Sequence, residues 1–89
     1  MKIKKGFMKR KISGKYLVVT TGELSRKNNM FIELNETSSF IWDLIDKGYD
    51  KNEIASKLSK EYSISIEKAA ADVEKLIGAM AEAGVFEEE

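Results

Sequence analysis

Between Asn29 and Ile45 the sequence reads NNMFIELNETSSFIWDLI, and its hydrophobic rhythm changes halfway through. Met30, Ile32 and Leu34 alternate with other residues, the period of a strand that buries one face. From Asn35 onward Phe40, Ile41, Leu44 and Ile45 recur at spacings of three and four, which places them on one face of a helix. No Gly or Pro separates the two elements. A strand fused to a helix through one polar residue leaves little freedom in how the two pack. It also raises the question of what occupies the strand's other edge.

The segments on either side fill in an architecture. FMKRKI (7–12) and KYLVVTT (15–21) read as strands joined at Ser13-Gly14, and Gly22 closes the second of them. SRKNN supplies a polar turn before the third strand, so the front of the chain reads as a three-stranded antiparallel meander. Asn35 caps the first helix, which ends at Lys47-Gly48, and Trp42 falls partly off its apolar stripe. Asp50-Lys51-Asn52-Glu53 has the form of a capping box for a second helix with Ile54, Leu58 and Tyr62 on its inner face. Ser65 caps the longest helix, where Ile66, Ala69, Ala70, Val73, Leu76, Ile77 and Met80 keep a helical period up to Gly84. Gly78 inside it is either a contact point or a tolerated neutral position. The run Ala69-Ala70-Ala71 suits close packing on the first helix or a shallow groove beside the sheet. The fold class that follows is α+β and winged helix-turn-helix-like, a three-stranded antiparallel sheet followed by three helices.

At 89 residues the chain is expected to form one domain over 1–89, with 1–5 and 87–89 frayed. Its hydrophobic fraction of 43% suits a soluble protein, and no apolar run approaches the ~20 residues of a membrane helix. The basic start MKIKKGFMKRK lacks the apolar stretch of a secretory signal, which predicts a cytoplasmic location. There is no His and no Cys, so imidazole bases, thiolate nucleophiles and the usual transition-metal ligands are missing together. No catalytic residue, metal or cofactor is expected, and the chain reads as a poor candidate for an autonomous enzyme. Charge is zero in total but segregated: residues 1–34 carry +7, 35–64 carry −2 and 65–89 carry −5. Such a dipole suits an acidic partner for the N-terminal part, or equally a solvated sheet balanced by a solvated helix.

Three stretches, FMKRKISGKYLVVTTGE, LNETSSFIWDLIDKG and EIASKLSKEYSISIEKAAADVEKLIGAMAEAGVFEE, together resemble the PqqD-like family, the peptide-chaperone domains also called RiPP recognition elements. The resemblance covers residues 7 to about 88. It implies a non-enzymatic adaptor that binds the leader of a ribosomally made precursor peptide and presents it to a modifying enzyme, often a radical S-adenosylmethionine protein. Pyrroloquinoline quinone synthesis is one such pathway; sactipeptide and lasso pathways are others. In the family the leader adds as a strand to the free edge of the third strand and packs against the third helix. Carried onto this sequence, the peptide-binding residues are Asn29, Met30, Phe31, Ile32, Glu33 and Leu34 on the strand, and Asp72, Lys75, Leu76 and Ala79 on the helix.

The opening question then has an expected answer, since an unprotected strand edge is a template for another chain. Phe31, on the opposite face from Met30 and Ile32, belongs either to the peptide site or to a second apolar cluster with the second strand. Two other functions compete. A helix-turn-helix suggests nucleic-acid binding, but the exposed start of the long helix offers Glu67, Lys68, Ala71, Asp72, Glu74 and Lys75, whose carboxylates repel phosphates. The third possibility is a homodimer formed through the free strand or an apolar helix face.

Overall fold

A computed structural model of the chain describes residues 1–22, 25, 26 and 31–87, Phe31 by its backbone alone. Three strands, β1 (Phe7–Ile12), β2 (Lys15–Thr20) and β3 (Phe31–Leu34), form an antiparallel sheet in the order β1-β2-β3. Three helices follow: α1 (Glu36–Asp46), α2 (Lys51–Tyr62) and α3 (Ile66–Glu82). The expected fold class holds, and the solved structures described below share it.

The β1–β2 connection has two residues, and both Ser13 (φ 51°) and Gly14 (φ 78°) sit in the left-handed region. That geometry matches the right-handed twist of the flanking strands, and a glycine at its second position adopts it without steric cost. Register then fixes the two faces of the sheet. Val18, opposite Lys9 and Ile32, is fully buried, and Leu34 is buried opposite Tyr16, so these positions face the helices. Lys9 is on this inner face too. Its ammonium donates to Ser39 Oγ (2.7 Å) and pairs with both carboxylate oxygens of Asp43 on α1 (2.7 and 2.8 Å), so the charge is compensated.

Each helix starts where its cap dictates. Asn35 Oδ1 accepts from the Ser38 amide, Asp50 and Glu53 close a reciprocal capping box, and Ser65 Oγ accepts from the Lys68 amide. Such caps contribute about 1 kcal/mol each. The core gathers Val18 and Leu34 from the sheet, Ile41, Trp42, Leu44 and Ile45 from α1, Ile54, Ala55 and Leu58 from α2, and Ala69, Val73, Leu76 and Met80 from α3.

Several expectations are corrected. Trp42 is 3% exposed rather than partly off the stripe, because α1 packs against β3, α2 and α3 and is covered over a wide arc. Ile66 is 48% exposed and Ala70 is exposed, so the buried row of α3 is the narrower Ala69, Val73, Leu76 and Met80. A Cβ at Gly78 would meet nothing within 4 Å, which supports the neutral reading over the contact point. Of the segments expected to be frayed, residues 2–4 and 87 make backbone contacts, and 88 and 89 lie outside the described residues. Ile3 bridges to Phe86, Lys4 N–H donates to Val85 O and Glu87 N–H donates to Lys2 O, both at 2.8 Å.

Candidate functional site

β3 is an edge strand. Its one neighbour among the described residues is β2, with Phe31, Ile32, Glu33 and Leu34 opposite Val19, Val18, Leu17 and Tyr16. In an antiparallel pair alternate residues turn their N–H and C=O away from the partner, so half of this four-residue strand presents main-chain groups outward. Leu34 is buried and Ile32 half-buried towards the helices, while Glu33 is exposed on the other face and pairs with Lys15 at 3.3 Å. Of the residues assigned to the strand, Asn29 and Met30 lie outside the described residues, as does the side chain of Phe31.

One residue beyond Leu34 the chain enters α1, whose first turns form a wall of a cavity of about 200 Å³. Thr37, Ser38 and Ile41 line it from α1, and Asp72, Lys75, Leu76 and Ala79 line it from α3. All four helix residues assigned from the sequence therefore surround a single cavity. Their spacing explains the grouping: 72, 75, 76 and 79 recur at three and four and so share a helix face. Ile41 and Leu76 are buried and make an apolar floor, with Ala79 exposed beside it. Thr37 Oγ1 donates to Asn35 Oδ1 at 3.0 Å, on the capped N-terminal turn of α1.

The electrostatics of the rim are uneven. Asp72 is engaged by Lys68 at 2.9 Å within α3, whereas Lys75 has no carboxylate partner among the described residues. Lys75 and the positive end of α1 thus bias the mouth of the cavity towards an anionic group. Among the described residues there is no cluster of acidic side chains able to hold a metal ion.

Thr37, Ser38 and Ile41 were not anticipated as site residues. The sequence signal for Ile41 was absorbed by the core stripe of α1, and Thr37 and Ser38 read as a first helical turn. What would have found them is the junction itself: a helix beginning one residue after an edge strand must bring its first turns beside that edge.

These features define an α+β domain of the winged helix-turn-helix class in which an edge strand leads into a mostly apolar cavity between two helices. A family model described as "Coenzyme PQQ synthesis protein D (PqqD)" matches residues 23–85, and the chain belongs to that family. Among solved structures, the chain is similar to one titled "TbiB1 in Complex with the TbiA(beta) Leader Peptide", at TM-score 0.80 and 22% identity over 100% of this chain and 98% of that one. It is also similar to "Lasso peptide synthetase B1 complexed with the leader peptide", at TM-score 0.77 and 18% identity over 93% and 92% of the two chains. No curated protein matches. At these identities the structural likeness establishes the fold alone.

Proposed function

We propose that the protein is a non-catalytic adaptor that captures the leader of a ribosomally made precursor peptide by strand addition to β3 and presents it to a modifying enzyme. The observation that carries this reading is the edge of β3, with no second neighbour among the described residues, running through Asn35 into the cavity between α1 and α3. Main-chain hydrogen bonds to the edge, worth about 0.5–1.5 kcal/mol each, give affinity with little sequence preference. The cavity gives selectivity, accepting an apolar leader side chain on Ile41, Leu76 and Ala79 while Lys75 favours an acidic neighbour. Membership of the PqqD family and the leader peptides named in the titles of both similar structures support the reading. The family description names coenzyme PQQ synthesis and one of the titles a lasso peptide synthetase, so the reading stops at leader capture and presentation. A radical S-adenosylmethionine protein is the first modifying enzyme to test.

The competing reading of α3 as a DNA-recognition helix fits poorly. Lys68 is engaged by Asp72, and Lys51 of α2 is engaged by Glu74 at 2.6 Å. The exposed start of α3 thus offers phosphates few unpaired cations.

Titration of labelled protein with synthetic leader peptides of candidate precursors is expected, for the cognate leader, to shift amide resonances of Ile32–Leu34, Thr37, Ser38 and 72–79. Perturbation confined to the N-terminal lysines would overturn the strand-addition model. Ala79→Arg fills the cavity from an exposed position, so it should weaken leader binding at least about tenfold with the fold intact. Unchanged affinity in that variant would remove the cavity from the site.

A further inference from the structure

Phe40 and Leu44 of α1 and Lys47 at its C-cap follow one another at spacings of four and three, and so form a single stripe. That stripe lies about 100° round the helix from Thr37, Ser38 and Ile41, which face the leader cavity. Lys57, Lys60 and Glu61 form a matching stripe on α2. With Tyr49 from the connection between the helices, the two stripes line an open groove of about 490 Å³, more than twice the volume of the cavity. Leu44 is buried and the rings of Phe40 and Tyr49 are half-buried, which gives the groove an apolar floor. Leader capture uses none of these side chains.

The charge of the groove runs against that of its surroundings. Residues 35–89 carry −7 in total. Of the six lysines in that half of the chain, Lys51 and Lys68 are held by Glu74 and Asp72, and Lys75 stands at the cavity. The other three, Lys47, Lys57 and Lys60, all line the groove, and none has a carboxylate partner among the described residues. Lys57 lies over the Tyr49 ring, 4.8 Å from its centroid, a contact that leaves its charge uncompensated. Glu61 is the one carboxylate among the lining residues, so the lining is net cationic. Unpaired ammonium groups around half-buried aromatic rings suit an acidic segment that also carries an apolar side chain. Its carboxylates meet the rim while its apolar group gains burial on Phe40 and Tyr49. A bare polyanion would satisfy the rim and leave the floor wet.

We propose that the groove between α1 and α2 docks an acidic segment of the modifying enzyme that carries an apolar side chain. The proposal rests on the adaptor reading above, in which a second protein must be held beside the captured leader. α1 is a wall of both openings, so occupants of the two lie about one helix diameter, roughly 10–12 Å, apart. The leader itself fits the groove less well, because a chain seated in the cavity would have to pass round α1 to reach it.

Two measurements on the full chain test the groove separately from leader capture. In the first, labelled protein is titrated, with no leader present, with a synthetic peptide of Glu, Leu and Phe. Amide shifts are expected at Phe40, Leu44, Lys47, Tyr49, Lys57 and Lys60. The same peptide with Gln in place of every Glu should bind at least about tenfold more weakly, and so should the acidic peptide to a chain carrying Lys47→Glu, Lys57→Glu and Lys60→Glu. Lys→Gln at the same three positions removes the charges without adding carboxylates and should weaken binding in the same direction, with circular dichroism confirming the fold of both variants. In the second, the enzyme that modifies a precursor whose leader binds is added to the labelled protein–leader complex. It should broaden the same groove resonances, and either triple variant should slow modification while leader affinity stays unchanged. The proposal is overturned if the acidic peptide shifts Lys9, Arg10 and Lys11 of β1 instead, if duplex DNA displaces it from the groove at equal concentration, or if the triple variants modify the precursor at the wild-type rate. Weakened leader binding in those variants would also overturn it, by giving the groove to the leader. Failure of every leader to bind would strike the adaptor reading and the enzyme as occupant together, while the peptide titration would still decide whether the groove selects acidic segments.

Discussion

Tyr62 closes α2 with its ring edge-on to Phe40, 5.6 Å between centroids, and it also lines a small crevice with Lys9, Tyr16, Glu36, Ser39 and Asp43. Burial pushes its phenol above the usual value of 10.0, and the charges of Glu36 and Glu61 and the phenol of Tyr16 push it in the same direction. The sign of the consequence follows from proton counting. Below about pH 10 the phenol is neutral in both states and its environment costs nothing; above that, the unfolded chain releases the proton first while the folded chain still holds it. Stability contributed at this site is therefore complete below the unfolded value and is lost as pH climbs through the raised folded value. Tyr62→Phe removes the titration and keeps the ring contact. Between about pH 9 and pH 11 the urea midpoint of the wild type should fall more steeply than that of the variant. Lysine deprotonation affects both proteins alike, so parallel curves would mean that Tyr62 is not the group responsible.

At the level of elements, Gly78 tests whether α3 is a packing helix or a contact surface. A methyl group added there meets nothing within 4 Å, and the position is exposed. Gly78→Ala should therefore raise stability by about 0.8–1 kcal/mol, the intrinsic helix difference between the two residues, measured as a higher urea midpoint at unchanged slope. A loss of stability would show that the backbone there is approached more closely than the geometry allows. The same helix marks how far the sequence could be read. Caps at Asn35, Asp50 and Ser65 were legible because each depends on a side chain and an amide three residues apart. The four cavity-lining positions of α3 were reached through the family resemblance, and their spacing agrees with one face. Burial along α3 was less legible, since a periodic position is covered only where a neighbour lies over it, and at Ile66 none does. Trp42 fails in the opposite direction, because periodicity carries no information on how many neighbours α1 has. Thr37 and Ser38 join the cavity through tertiary proximity that no local pattern records.

On the scale of the whole molecule, 41 × 35 × 19 Å, one sheet and one layer of helices share a thin core, so contacts that join the two layers outside it matter more than their number suggests. Lys9 with Asp43 and Ser39 is one such tie. The other is the clamp between the chain's beginning and the residues after α3. Val85 there is fully buried, Ile3 and Phe86 pack half-buried against the core, and the two backbone hydrogen bonds hold residues 2–4 antiparallel to 85–87. Those hydrogen bonds contribute about 1 kcal/mol each, and partial burial of Ile3 adds about 1 kcal/mol more. A chain beginning at Gly6 should then lose roughly 3 kcal/mol, which for a domain of this size lowers the melting temperature by about 12–24 °C. Unfolding should remain a single transition, because the clamp closes on the same core that α1, α2 and α3 share. Lys4→Pro separates the contributions by deleting one donor while retaining Ile3, and should cost about a third of the full effect. If the shortened chain melted with the full one, the clamp would be a contact without energetic weight, and the core beneath it would have to hold Val85 in place unaided.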